Sequence, residues 1–461
     1  MSNAQIDKKE LLKWAIVLAV AAMIWLIPCN MLYTIEVKKF LLVTVTGILL
    51  VAFELVELMA VSMMFPLGYL VLGLVPMDVA YSAWLQTMPL VVVGGYLIAN
   101  ILVRIGLLKR IAYWCILRVG GSYYGLLYGV FIAGCILNVA TGGNAWVIMA
   151  AFTLGLCKAF DLGKSIDSAL IMFVGALSAG ASCVFLYTPY FMGLLLNAAE
   201  VTTGTKYFLS WLTYFTHMAP YLLFVLAFIW LMPKMFKPTK KLPGKEFYKE
   251  EYEKLGKMSH DEKIGGLVTV ALIVFMLTGD IHHIALDWAF IVIPWLMYFP
   301  GLKIGKAEDV QRIDFGMVFF CVACLSIGIT SGYLGIGKMV ADFLIPVLQP
   351  LSSTVVAGAI YLLAVLLNLL LTPFAILAGF SEPIAQIAQS VGIDPLGALY
   401  AMYVGCDQVF LPHEYLTYMI FYAFGLMRMA DFVKLATTKT IFATVFTIIV
   451  LIPWWKFMGV F

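Results

Sequence analysis

Three ionisable residues fall close together in a stretch that is otherwise mostly apolar: Asp407, His413 and Glu414. An ionisable side chain within a membrane segment is costly and marks a functional site by default. A His–Glu pair can carry a proton, because imidazole titrates near neutral pH. Asp407 could take the place of a neutral sodium ligand. The bland alternative is a wet helix end at which His413 and Glu414 only pair with each other. No second histidine follows at zinc-protease spacing, which excludes a zinc site of that kind.

Two polar interruptions share the apolar background. Leu137-Asn-Val-Ala-Thr-Gly-Gly-Asn-Ala-Trp146 is a Gly/Asn/Thr break, and Leu371-Thr-Pro-Phe374 is a second one. Freed backbone groups cost several kcal/mol each in hydrocarbon, so such breaks are tolerated only where protein buries them or they line a cavity. A half-helix that starts mid-membrane aims unpaired N–H groups at that cavity and carries about half a positive charge there. That end can hold an anion, and the sequence places no basic residue near either tip. Directional hydrogen bonds to substrate would come from Thr141 and Asn144 at the first break and from Thr372 at the second, with Gly143 and Pro373 also lining the site. Thr188, Pro189 and Thr417 join them from the segments that follow. Unwound carbonyls around Ser178, Gly180 and Ser182 could hold a coupling cation. The competing reading is that these Asn and Thr residues simply cap broken helices.

The elements that must position these residues follow from composition. The chain is 63% hydrophobic and only 12% charged, where a soluble domain has about 25% charged residues. The fold class is therefore an all-α polytopic membrane protein. The net charge of +3 is too small to point to a nucleic-acid partner. Cys321-Val-Ala-Cys324 has redox spacing but lies in a predicted membrane helix and reads as packing. Leu11–Cys29 is a first span without a cleavage site. The long run Lys39–Val75 is split by Glu54 and Glu57. Met88–Val103 follows, then an amphipathic stretch Leu107–Leu117. Tyr124–Leu137 and Trp146–Phe160 form the arms of a re-entrant hairpin. Ala169–Ala198 contains Gly175–Ser182 and Tyr187-Thr-Pro-Tyr190, which read either as a second unwound helix or as a small-residue packing face with a proline kink, and Phe208–Leu231 closes the first half. Residues 233–263 read as a cytoplasmic, Lys- and Glu-rich linker. The second half, 264–461, offers Ile264–Thr278, Leu286–Tyr298, Phe315–Ser331 and a hairpin over Val355–Gln389. A loop with Arg428, Lys434 and Lys439 then precedes a last span at Thr440–Trp455.

A fixed shift of 229 positions carries Gly143-Asn144-Ala145 onto Thr372-Pro373-Phe374 and Thr188 onto Thr417. The same shift brings identical residues together at Ile98/Ile327, Gly106/Gly335, Lys109/Lys338, Gly163/Gly392 and Ala169/Ala398, among others. With residues 1–232 holding one extra N-terminal helix, an odd number of spans repeats and the second copy is inverted. This gives about 11 transmembrane helices plus two re-entrant hairpins, the first opening inward and the second outward. The N-terminus is expected in the cytoplasm and the C-terminus outside, in the cell (inner) membrane.

The chain resembles the divalent anion/sodium symporter family of the wider ion-transporter superfamily. The resemblance is carried by the order of hairpin and unwound helix in each half, by Arg104-Ile-Gly-Leu-Leu-Lys-Arg110 and Gly332-Tyr-Leu-Gly-Ile-Gly-Lys338, by Ser178-Ala-Gly-Ala181 and by Thr188-Pro189. The family's Ser-Asn-Thr tips are replaced here by Gly143-Asn144-Ala145 and Thr372-Pro373-Phe374, and its second Thr-Pro-Pro-Asn by His413-Glu-Tyr-Leu-Thr-Tyr418. The resemblance implies a homodimer in which hairpins and broken helices shift against a scaffold. The expected activity is secondary active symport of a small anion such as a di- or tricarboxylate, with Na+ or H+ as coupling ion and no bound cofactor. An ion channel or exchanger on the same fold, or a transporter of a non-carboxylate solute, is the alternative. A membrane enzyme is disfavoured, because no nucleophile–base or metal-ligand spacing stands out.

Overall fold

The computed structural model describes residues 8–30, 33–53, 55–119, 122–240, 245–336, 351–369 and 371–461. Glu54, Lys241, Lys338 and the N-terminal segment before residue 8 lie outside them, as do the parts of the sequence argument that rest on these residues. Among the described residues there are helices and no strands. The first half contains α1 (Lys8–Leu26), α2 (Ile35–Ala52), α3 (Leu58–Val71), α4 (Met88–Arg104), α5 (Leu107–Val119), α6 (Tyr123–Ala140), α7 (Trp146–Ala159), α8 (Ile166–Ala179), α9 (Pro189–Thr203) and α10 (Trp211–Met235). The linker carries α11 (Lys245–Lys254). The second half contains α12 (His260–Leu277), α13 (Asp287–Leu296), α14 (Phe315–Tyr333), α15 (Ser353–Asn368), α16 (Pro373–Ser390), α17 (Pro395–Cys406), α18 (Leu416–Ala423) and α19 (Met429–Phe446).

Local chemistry sets the boundaries. Helix α6 opens on Ser122, whose side chain accepts from Gly125 N, and stops before Gly142 and Gly143, whose φ of +61° and +97° a residue with a Cβ adopts only with strain. Helix α8 opens on a Ser165–Ser168 capping box. Helices α9, α16 and α17 each begin at a proline, which lacks an N–H and so suits a first helical position. The same chemistry means that α8 cannot run on through Pro189, and the chain between them is interrupted.

Helix ends coincide under the shift read from the sequence. Shifting by 229 carries Arg104, the end of α4, onto Tyr333, the end of α14, and Ile166, the start of α8, onto Pro395, the start of α17. Gly106 and Gly335 follow α4 and α14 with φ of +83° and +64°. Helix α5 is bent 74° from α4, and Arg110 ties it to α12 through a 2.8 Å pair with Glu262.

Among the described residues the buried apolar side chains fall into two large clusters and one small one around Ala112, Cys115 and Ala133. Val37, Phe40, Val61, Phe65 and Tyr69 of α2 and α3 pack with Ala323 and Ile327 of α14. Both hairpins, both broken helices and the C-terminal helix share the larger one.

One boundary departs from the sequence expectation. Lys439 is not in a loop before a span at Thr440. Helix α19 starts at Met429, with Arg428 making a two-bonded pair to Asp431, and continues through a π-helical turn at Thr447–Leu451 to Phe457. Lys439 sits in mid-helix and is fully buried. Its charge suggested a loop because the sequence does not show the carboxylate that meets it.

Candidate substrate and ion site

At the first hairpin tip, Thr141 is buried and its hydroxyl donates to Leu137 O at 2.8 Å. The half-buried Asn144 donates to Thr141 O at 3.1 Å and lies beside Gly95, where a Cβ would come within 2.7 Å of its amide nitrogen. In the adjoining break, Ser178 donates to Gly175 O and Ser182 to Ser178 O, at 2.7 and 2.6 Å. Thr188 donates to Cys183 O and Leu186 O, each at 3.3 Å. These hydroxyls are thus engaged with neighbouring carbonyls.

The residue that joins tip to break is one that the sequence reading passed over. Asn138 donates to Ala179 O at 3.1 Å and to Ser182 Oγ at 2.6 Å, and accepts from Ala145 N at 3.3 Å. Asn368 repeats the arrangement in the second half, donating to Cys406 O at 3.1 Å and Gln408 O at 2.8 Å. Each asparagine lies in the last turn of the first arm of its hairpin and binds the end of its broken helix. They are 230 positions apart (368 minus 138), so a rigid shift of 229 misses the match by one residue.

At the second tip Thr372 accepts from Ala375 N and caps α16. In the second break Glu414 is buried and accepts from the N–H groups of Phe410 and Leu411 at 2.8 and 2.9 Å. His413 lies in the short turn Pro412–Glu414, and its side chain is outside the described atoms. Asp407 ends α17. Its Oδ2 accepts from Tyr221 at 2.6 Å and from Lys439 Nζ at 2.6 Å. Lys439 also reaches Asp407 O. The expectation of no basic residue concerned the hairpin tips; at the second interrupted helix a distant helix brings one in.

The two halves touch. Tyr190 donates to Gly143 O at 3.4 Å, and its ring stacks on Phe374 at 6.1 Å between centroids. Phe191 and Phe320 also pack on Phe374, at 5.7 and 5.4 Å. Tyr403 donates to Cys183 O at 2.7 Å. A Cβ on Gly180 would stand 3.5 Å from Thr417 and 3.4 Å from Tyr418. The structure thus brings Gly143 and Thr188 to Tyr190, and Tyr190 to Phe374 beside Pro373, and sets Gly180 next to Thr417 and Tyr418; Asn144 instead lies beside Gly95. Asp407 and Glu414 serve different partners.

Gly143→Ala is expected to abolish transport while the protein still reaches the membrane. The added Cβ would sit 2.7 Å from Thr188 Cγ2 and 2.9 Å from Tyr190 in a left-handed backbone, which displaces the tip. Initial uptake rates normalised to surface expression check this, and a rate within twofold of wild type would reject it.

The fold is helical, with apolar helices, two hairpins and interrupted helices that meet in its interior. A family described as the citrate transporter family, CitMHS, matches residues 48–405, and the chain belongs to that family. This agrees with the superfamily resemblance read from the sequence and makes the chain a transport protein rather than an enzyme. No curated protein matches it. Among solved structures, the Alcanivorax borkumensis YdaH transporter, described as having an unusual topology, is similar with a TM-score of 0.58 and 13% identity, over 91% of this chain and 99% of that one. Neisseria gonorrhoeae MtrF, described as illuminating a class of antimetabolite efflux pumps, aligns with a TM-score of 0.54 and 13% identity, over 96% and 94%. At these identities the likeness concerns the fold.

Proposed function

We propose that the protein is a secondary active, elevator-type symporter of a small anion, a tricarboxylate such as citrate or a dicarboxylate, driven by a sodium or proton gradient. The observation that carries the reading is the convergence of three helix N-termini, those of α7, α9 and α16, on Gly143, Tyr190 and Phe374. Each contributes about half a positive charge, and together they favour an anion without a basic side chain at the tips. In this reading α1–α4 and α12–α14 form the scaffold of a homodimer. The hairpins, broken helices and α19 move as one body. The halves 1–232 and 264–461 are inverted copies joined by the cytoplasmic linker 233–263, with about 11 spans and a C-terminus outside.

Radiolabelled citrate uptake into proteoliposomes, with an imposed sodium or pH gradient, tests this. Saturable accumulation against a gradient is expected. Unsaturable conductance would establish a channel instead, and accumulation only against internal anion would establish an exchanger. Asn144→Ala is expected to weaken substrate binding about tenfold, the worth of about one hydrogen bond to a charged group. Unchanged affinity in purified protein would remove Asn144 from the site. The aromatic layer of Tyr190, Phe191 and Phe374 favours one second reading, a non-carboxylate aromatic solute. Competition of such solutes with citrate distinguishes the two.

A further inference from the structure

The two breaks are built alike but charged differently. At the first, the helix end at Ala179 is met by the neutral amide of Asn138 and by the Cys183 thiol. At the second, the equivalent helix end at Asp407 is met by an ammonium group. Lys439 Nζ lies 2.5 Å from Asp407 O and 2.6 Å from Asp407 Oδ2, and 5.8 Å from the centroid of the Tyr418 ring. Lysine and aspartate are both fully or almost fully buried, at 0% and 2% exposure. No other Lys or Arg among the described residues bonds to either break.

A helix C-terminus presents carbonyls and the negative end of its dipole, so it attracts a cation. Unwound carbonyls at such half-helix ends are where transporters coordinate a diffusible ion. Here the ammonium meets a backbone carbonyl, a carboxylate oxygen and an aromatic face, the ligand types that suit a monovalent cation. The pair is otherwise hard to account for. Burying two charges gives little net stability over a well-packed apolar pair, so retaining a lysine there calls for a role for its charge.

We propose that Lys439 is a tethered cation, which fills from within the protein the position that a diffusible alkali cation would need at the second break. Substrate coupling at that break then takes up no metal ion, and any alkali cation that the protein binds enters at the first. This deepens the transporter reading and rests on it for the word coupling. Occupancy of the second break by the ammonium can be tested without substrate.

Three further oxygens show what removal of the lysine would leave. Asp407 Oδ1, Gln408 Oε1 and Asn368 Oδ1 are buried with no hydrogen-bond partner among the described residues. Asn368 and Gln408 are neighbours of Asp407 through the bonds of Asn368 to Cys406 O and Gln408 O. Lys439→Ala would vacate the ammonium's place next to a carboxylate and a backbone carbonyl, oxygen ligands suited to sodium or potassium, with these unpartnered oxygens on the neighbouring residues.

The test is thermal unfolding of purified protein in choline chloride against lithium, sodium, potassium and methylammonium chlorides. Lys439→Ala is expected to have a lower Tm than wild type in choline and to recover by about 4 °C or more in at least one of the other salts, a recovery that wild type lacks. Lys439→Ala combined with Asp407→Asn is expected to lose that recovery. A Lys439→Ala protein whose response to every cation equals that of wild type overturns the proposal. If the alanine variant does not accumulate folded, equilibrium binding of radioactive sodium and rubidium to wild type decides. At most one equivalent per chain is expected, and two equivalents overturn it. Failure of citrate transport with these outcomes intact would count against the substrate reading alone.

Discussion

Asp407→Ala is expected to destabilise the protein by about 3–5 kcal/mol, the typical cost of breaking a buried ion pair from one side. The substitution leaves the Lys439 ammonium buried with a single carbonyl and takes the acceptor from the Tyr221 hydroxyl. Very little monodisperse protein should survive solubilisation. The paired change of Asp407→Leu with Lys439→Met behaves differently, because it removes both charges and leaves none uncompensated. It is expected to restore a Tm near that of wild type and still to transport nothing. Size-exclusion profiles and Tm values of the single and double variants check the first part, and uptake by the double variant checks the second. A double variant with wild-type transport would reduce the pair to a structural contact.

Asn138→Leu comes next in expected size. Leucine shares the branching of asparagine at Cγ, though it is bulkier, and offers no hydrogen bonds. It leaves Ala145 N–H at the hairpin tip without its acceptor and strips Ala179 O of its amide donor. An orphaned buried polar group costs about 1–3 kcal/mol; Ala145 N–H becomes one, and Ala179 O keeps only the weak Cys183 thiol donor, which together are enough to let tip and break move apart. Loss of transport with a partly folded population is therefore expected. Asn138→Asp retains the acceptor and should fall between wild type and Asn138→Leu. Asn368→Leu should mirror the effect in the second half. If Asn138→Leu transports at the wild-type rate, the first hairpin and its broken helix are not held together as the structure has them.

Hydropathy and helix punctuation carried a large part of this architecture in the sequence itself. Gly142, Gly143, Pro189 and Pro373 stop or start helices for reasons local to the backbone, so interruptions within Leu137–Trp146 and at Leu371–Phe374 were readable directly. The shift of 229 was readable for the same reason, since Gly106 and Gly335 answer the same backbone need at the ends of α4 and α14. What the breaks bind to was not readable, because it depends on partners far away in the chain. Asn138 meets Ser182 across 44 positions, and Tyr403 meets Cys183 across 220. Lys439 meets Asp407 across 32, and in the sequence it looked like the solvated charge of a loop. A lone lysine in an apolar run pays too much desolvation to be read as buried until its counter-charge is known. Only the packing of α19 against the second break supplies that counter-charge, and so only the tertiary structure could turn a surface lysine into a cation at the centre of the protein.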